Sequence, residues 1–413
     1  MFRTLTALTL FLVSATPATA EAQQKAGHYL FVWSGDQKKA GNDFLAVIDA
    51  DPASPTYGHL VTSVATDLVS VRPHHTEYQM STNGMLFAND FDAGRTFVFD
   101  LRDPTHPKVA AEFGDRDGYA FPHSFVRLPD GHVLATFQYR SGAMPMAGDM
   151  MDGATERSGA ITGGLVELDD SGRALRSGSS ADANWPDAAL EPYSLAVLPN
   201  IDRVLVTNSP MQNDAPFRSN TAQLWRLSDL KLLKTFHLDP GEQLYAHISP
   251  EEARIGPDGA VYIQTLSCGL ERVTGLADDK PKAQLVHTFP GSWCGVPTFV
   301  GHYLVQSVPD IHGFVVLDMT DGAHPREVSR LVISRDYAAH WTGFDRETGR
   351  IVVTSGREGD RTYLLRLDQA TGALSIDRAF RDEDGQIGFS FATRKWPHGW
   401  TGAGKPHGAV FSR

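Results

Sequence analysis

The chain has 413 residues, 41% hydrophobic and 21% charged, with 49 acidic against 37 basic side chains and a formal net charge of −12. An acidic balance with no lysine or arginine cluster argues against nucleic acid and anionic membrane surfaces as partners and leaves small molecules or proteins. The length suffices for two ordinary domains or one large closed β fold with a substantial core.

At the N-terminus, Arg3 precedes an apolar run from Leu5 to Val13 and the small-x-small triplet Ala18-Thr19-Ala20. This pattern predicts a cleaved signal peptide over residues 1–20, and a mature chain, 21–413, that is periplasmic or secreted. The apolar run is about half the roughly twenty residues a spanning helix needs, and no later segment is long and apolar enough, so no membrane partner is expected.

From residue 29 onward, β-rich runs recur about every ten residues: Tyr29–Trp33, Phe44–Ile48, Thr96–Phe99, Val133–Phe137, Val204–Thr207, Val261–Gln264, Phe314–Leu317 and Ile351–Thr354. Turn signals such as Pro129-Asp130-Gly131, Pro257-Asp258-Gly259 and Glu347-Thr348-Gly349 separate them, and sustained helical periodicity is almost absent, which predicts an all-β chain. A larger unit also repeats. Residues 86–103, followed by Pro107, align with residues 303–321, followed by Pro325. The residues opening successive inner strands are His74, His123, Tyr193, a segment after His247, Cys294–Pro297, His340 and His407, at intervals of about 45 to 70 residues. That is the period of a four-stranded propeller blade, and it counts to seven. A β-sandwich with a second domain is the alternative, but its strands would need no repeat of this length.

The predicted fold is therefore a single seven-bladed β-propeller. Its first strands, near 28–33 and 43–49, have no inner strand before them, so the C-terminal segment Pro406–Phe411 is expected to complete the first blade and close the ring. Residues 140–164, containing Met144, Met146, Met150 and Met151, and residues 178–190 read as blade insertions. Those methionines are soft donors or simply a tolerant loop. Cys268 and Cys294 are the only cysteines. In an exported chain they are expected to form a disulfide, worth about 3 kcal/mol by loop closure, with a soft metal-ligand pair as the alternative.

Inner strands of a propeller start at one mouth of the central channel, so residues that open different blades meet there. His74-His75, Pro122-His123, Ala339-His340 and Pro406-His407 open neighbouring blades. Imidazole suits copper, zinc, iron or nickel, and three or four nitrogens leave a position for an exogenous ligand. A lone histidine at a strand start would more simply bond a carbonyl. Repetition on consecutive blades favours a metal site of His74, His75, His123 and His407, with His340 as a further candidate. Adjacent His74 and His75 can share one ion only where the strand begins in a non-extended turn. Glu77, on the face of His75, and Glu252, opening another inner strand, are the candidate proton acceptors. His247, His312 and His398 are weaker candidates for the rim. His59, His106, His132, His237, His287, His302 and His324 are expected at the surface. The chain has no G-x-S-x-G elbow, no Gly-rich phosphate loop, no H-E-x-x-H and no C-x-x-C, which removes support for nucleotide cofactors and serine-hydrolase chemistry.

Several segments together resemble the selenium-binding protein and methanethiol oxidase family of seven-bladed propellers: residues 43–57, the His74-His75 pair, Pro122-His123, Ser249–Ile255 and Leu317–Arg326. The resemblance implies a periplasmic copper enzyme that oxidises methanethiol with dioxygen to formaldehyde, hydrogen sulfide and hydrogen peroxide. It implies copper on His74, His75, His123 and His407, and it matches Glu252 to a family glutamate. The chain departs from the family in lacking a cysteine-rich segment after the His-His pair, and in carrying Gly408–Ser412 where the family ends in Gly-Asp-Cys. The expectation is thus a copper-dependent oxidase of a small thiol. A non-catalytic metal- or ligand-binding propeller, or a lactonase-like hydrolase holding calcium, are the alternatives.

Overall fold

The structure is a computed structural model that describes residues 27–70, 72–142, 162–211, 219–241 and 248–413. Seven antiparallel sheets follow one another around a central channel, almost without helix, so the chain is a seven-bladed β-propeller. The inner strands of blades 2 to 7 are Pro73–Thr76, Tyr119–Arg127, Pro192–Leu198, Pro250–Ile255, Thr298–Val300 and Trp341–Phe344. Blade 1 takes its inner strand, Lys405–Phe411, from the far end of the chain. That strand pairs antiparallel with Tyr29–Gly35, matching Leu30 to Phe411 and Val32 to Ala409. The ring closes there as expected, and His28 Nε2 bonds Asp345 Oδ2 of blade 7 at 2.8 Å across the same seam. The expected leader, the four methionines of the first insertion and His247 lie outside the described residues.

The apolar runs show no inside–outside alternation because both faces of each blade are buried. In Phe44–Asp49, Phe44, Ala46 and Ile48 join a cluster with blade 7, whereas Leu45 and Val47 join one with blade 2. Seven such inter-blade layers make up the core. Outermost strands face water on one side, and Lys108–Phe113 alternates accordingly.

Five inner strands share one local irregularity. Pro73 faces Asp90 while Thr76 faces Ala88, so three steps on one strand oppose two on the other. The same one-residue bulge follows Pro122, Pro192, Pro250 and Pro406. Proline has no N–H for the ladder and is tolerated at a strand start or a bulge. The residue opposite the bulge supplies a side-chain acceptor for the amide that the bulge displaces: His75 N–H donates to Asn89 Oδ1 at 2.7 Å, Ser124 N–H to Thr136 Oγ1 at 3.0 Å, and Ser194 N–H to Thr207 Oγ1 at 3.0 Å. A displaced buried amide without such a partner would be costly.

The seam of blades 1 and 2 also buries Asp43 and Asp90. Ser70 Oγ–H donates to Asp90, while both Asp43 oxygens have no hydrogen-bond partner among the described residues. Burial first, and then the charge of Asp90, push the Asp43 carboxyl up to about 9. The folded chain therefore holds a proton that the unfolded chain releases above about pH 4. Between about pH 4 and 9 this group makes stability fall as pH rises. Asp43→Asn, which mimics the protonated acid, should match the parent's melting temperature near pH 5 and exceed it by several degrees near pH 9. Scanning calorimetry across that range checks this, and an unchanged pH slope would show that Asp43 is ionised in the fold.

Candidate metal centre

Each bulge turns two successive side chains toward the channel mouth at which the inner strands begin. In blade 2 these are His74 and His75, whose rings stack at a centroid distance of 4.2 Å and 7° between planes, which a regular strand would forbid. Blade 3 contributes His123, with its ring 4.9 Å from His74 and 4.5 Å from His75. Blade 1 contributes His407, 4.4 Å from His74. His340 enters from the turn before the inner strand of blade 7, where its N–H donates to Thr354 O at 3.0 Å and Ser307 Oγ–H donates to its carbonyl at 2.7 Å. Its Nε2 lies 2.8 Å from His407 Nε2.

The second nitrogens fix the tautomers. His123 Nδ1–H donates to Tyr193 O at 2.7 Å and His407 Nδ1–H donates to His74 O at 2.9 Å, so each Nε2 carries its lone pair inward. His75 Nδ1 meets Ser124 Oγ at 3.0 Å. His74 Nδ1, His75 Nε2, His123 Nε2 and His340 Nδ1 are buried without a hydrogen-bond partner among the described residues. One nitrogen from each of His74, His75 and His123 lies within 4.8 Å of the other two. Ligands on one ion at about 2.0–2.1 Å stand no more than about 4.2 Å apart, so adjustments of less than about 1 Å would seat a cation. Burial is the largest cause lowering all five histidines: His123 falls to about 3 and His340 to about 4, while His74, His75 and His407 lie well below the ordinary value and are lowered further by neighbouring histidines. The unpartnered nitrogens of neutral His74, His75 and His123 are what a transition metal requires, whereas His407 Nε2 accepts from His340 Nε2–H.

Beneath the histidines lies Glu252, fully buried. Its Oε2 accepts from Tyr78 Oη at 2.5 Å, Ser194 Oγ at 3.0 Å and Arg254 at 3.0 Å. Its Oε1 has no donor of its own and faces His75 Nε2 at 3.4 Å. Glu77 is directed elsewhere: both oxygens accept from Arg127 at 3.0 Å, and Oε2 also accepts the Phe87 N–H. Because the strand leaves its bulge before residue 77, Glu77 is turned toward blade 3 and away from His75. Cys268 and Cys294 form a disulfide at the seam of blades 5 and 6. His398 packs on Phe44 and bonds Ser63, and His312 caps a 3₁₀ turn. His132 meets Asp130 and Glu167 on the outer part of blade 3, in a second, partly exposed cluster. Sequence reasoning did not single out Ser124, Tyr78, Ser194 or Arg254. The signal that locates Ser124 and Ser194 is the recurring proline, which marks the next two residues as facing the channel.

The chain bears a distant resemblance to methanethiol oxidases and selenium-binding proteins. It is 35% identical over 111 residues to methanethiol oxidase from Hyphomicrobium, covering 26% of this chain and 25% of that one. It is 27% identical over 139 residues to selenium-binding protein 2 from Arabidopsis thaliana, covering 30% and 28%. The matched stretches thus span about a quarter of these curated relatives' lengths. No family model matches. In fold, the chain is similar to a hypothetical selenium-binding protein from Sulfolobus tokodaii, with TM-score 0.69, 15% identity and 93% of each chain covered. It is also similar to the periplasmic gluconolactonase of Pseudomonas aeruginosa, with TM-score 0.60, 13% identity and coverage of 94% of this chain and 99% of that one.

Gly408, beside His407, lets the closing strand approach blade 2: a Cβ there would lie 2.7 Å from both His74 O and Thr76 N. Gly408→Ala must therefore push the seam apart. It should cost about 1–3 kcal/mol, the usual range for overpacking, and lower the melting temperature by several degrees. Thermal denaturation compared with Gly402→Ala, where only the Trp400 ring is in the way, checks the assignment.

Proposed function

We propose that this chain is an exported copper-binding propeller that oxidises a small thiol, methanethiol in the first instance, with dioxygen. The observation that carries the reading is the buried cluster of His74, His75 and His123, one nitrogen of each within 4.8 Å of the other two, with His407 of the closing strand packed on His74. His74, His75, His123 and His407 would hold the ion, with His340 beside His407. An all-imidazole donor set suits copper, which stands at the top of the divalent affinity series. When bound, copper supplies one-electron chemistry and an open position for a thiolate or dioxygen. The partial likeness to methanethiol oxidases supplies the substrate class, for which the balanced reaction is methanethiol, dioxygen and water giving formaldehyde, hydrogen sulfide and hydrogen peroxide.

The chain's own residues set the conditions. Tyr193 O and His74 O hold His123 and His407 in the tautomer that keeps Nε2 unprotonated. Aromatic packing by Phe91, Tyr193 and Trp341 surrounds the rings and keeps water away. Glu252 Oε1, the carboxylate oxygen facing the cluster without a donor, can take up the proton that a thiol loses on becoming a thiolate. Tyr78, Ser194 and Arg254 hold the other oxygen in place. The expected leader and the Cys268–Cys294 disulfide both fit an oxidising compartment. The gluconolactonase likeness extends to the fold alone, and calcium in such a site would call for oxygen donors.

Two measurements test this reading. Replacing His75, His123 or His407 by Ala should abolish stoichiometric copper in the purified protein by elemental analysis. Retention of copper by all three variants would remove those residues from the site. With copper bound, an oxygen electrode should record methanethiol-dependent oxygen uptake, and Glu252→Gln should cut kcat by roughly 10²-fold or more while keeping the metal. Full copper loading without thiol-dependent uptake would leave a binding protein rather than an oxidase.

A further inference from the structure

The inner strands end at the opposite mouth of the channel, in a cavity of about 640 Å³. Four arginine side chains line it, Arg127, Arg254, Arg346 and Arg413, and Glu77 is the one acidic side chain among the lining residues. That composition stands out in a chain of net charge −12. Arg127 and Glu77 neutralise each other through two bonds of 3.0 Å. Arg254 is only partly committed: Nη1 donates to Glu252 and to the Ala253 carbonyl, at 3.0 and 2.9 Å, while the guanidinium packs on the Tyr78 ring and its buried Nη2 has no hydrogen-bond acceptor among the described residues. Arg346 is exposed and makes no ion pair among the described residues. Leu195, Val197, Phe299 and Phe344 make much of the remaining wall apolar.

We propose that this mouth is a binding site for a small organic monocarboxylate with an apolar, preferably aromatic, body. A buried guanidinium N–H without an acceptor is costly to leave unpaired, and a carboxylate is the acceptor that satisfies it with a charge-assisted bond. Arg346 and Arg413 at the rim add attraction for an anion, and the apolar wall takes up the body. The cavity volume falls in the range of small-ligand pockets. With one buried free donor, the site suits a single negative charge rather than a phosphate dianion. Arg254 stacks over the Tyr78 ring at 3.6 Å and bonds the same Glu252 that faces His75. The occupant of this mouth therefore sits two residues away from the histidines of the other.

Calorimetric titration of the full, chelator-treated chain with sodium benzoate tests the site. Saturable one-site binding is expected, with benzamide, the neutral isostere, weaker by roughly tenfold. The double variant Arg346→Gln/Arg413→Gln should keep its circular dichroism and melting temperature and weaken benzoate several-fold. Arg254→Gln should abolish binding, and if that variant fails to fold the rim double variant decides alone. Absence of saturable binding at millimolar benzoate, equal affinity for benzamide, inorganic phosphate binding as tightly as benzoate, or an unweakened rim variant would each overturn the proposal.

Discussion

A proline at the head of an inner strand cannot donate to the ladder, and much of the channel chemistry follows from how the chain accommodates that. The strand gains one residue, two consecutive side chains face the axis in place of one, and the displaced amide needs a new acceptor. Asn89, Thr136 and Thr207 provide it at equivalent positions of three blades. The bulge thus doubles the density of functional groups around a narrow ring. It allows a stacked His-His pair in blade 2 and a Glu-Glu pair in blade 5, where alternation would have sent one member of each into the layer between blades. These side chains are held by backbone geometry common to the fold, so their identity is free to vary while their position is not.

Such crowding is tolerable only when few of the groups are charged. Burial keeps the five histidines neutral, and among the carboxylates near them only Glu252 has a cation, Arg254, bonded to it. Glu251, its neighbour, is pushed up by burial and by Glu252, and its carboxylate accepts from Gln264 Nε2 at 3.4 Å. The Tyr78 ring is sandwiched between Arg254 on one face and Trp341, stacked at 4.9 Å, on the other. Arg254 bonds Glu252, whose other oxygen faces His75, so these three side chains join the two mouths.

Much of this architecture was legible in the sequence because a propeller repeats: strand runs, turn signals and blade-opening residues recur at one period, and the missing first inner strand pointed to ring closure by residues 406–411. The same repetition draws attention to His74, His123 and His407, each directly after a blade-opening proline, and to His75 and Glu252 one residue further on. Glu77 was misplaced because period-two alternation was counted through a strand that contains a bulge, and one extra residue reverses the face of everything after it. His340 stood apart because its blade opens without the proline bulge. Arg254 and the pocket at the far mouth were not legible, because they depend on where inner strands end, and those positions carry no repeated residue.

The closing strand brings one more consequence. His407 belongs to the last strand of the ring, yet it packs against His74 and His340 on either side of the seam. In a growing chain, blades 2 to 7 are available to fold before the strand that completes blade 1 has docked. With a cation held as proposed, docking of this strand would complete the ligand set, and the ion would tie down the joint at which the ring closes.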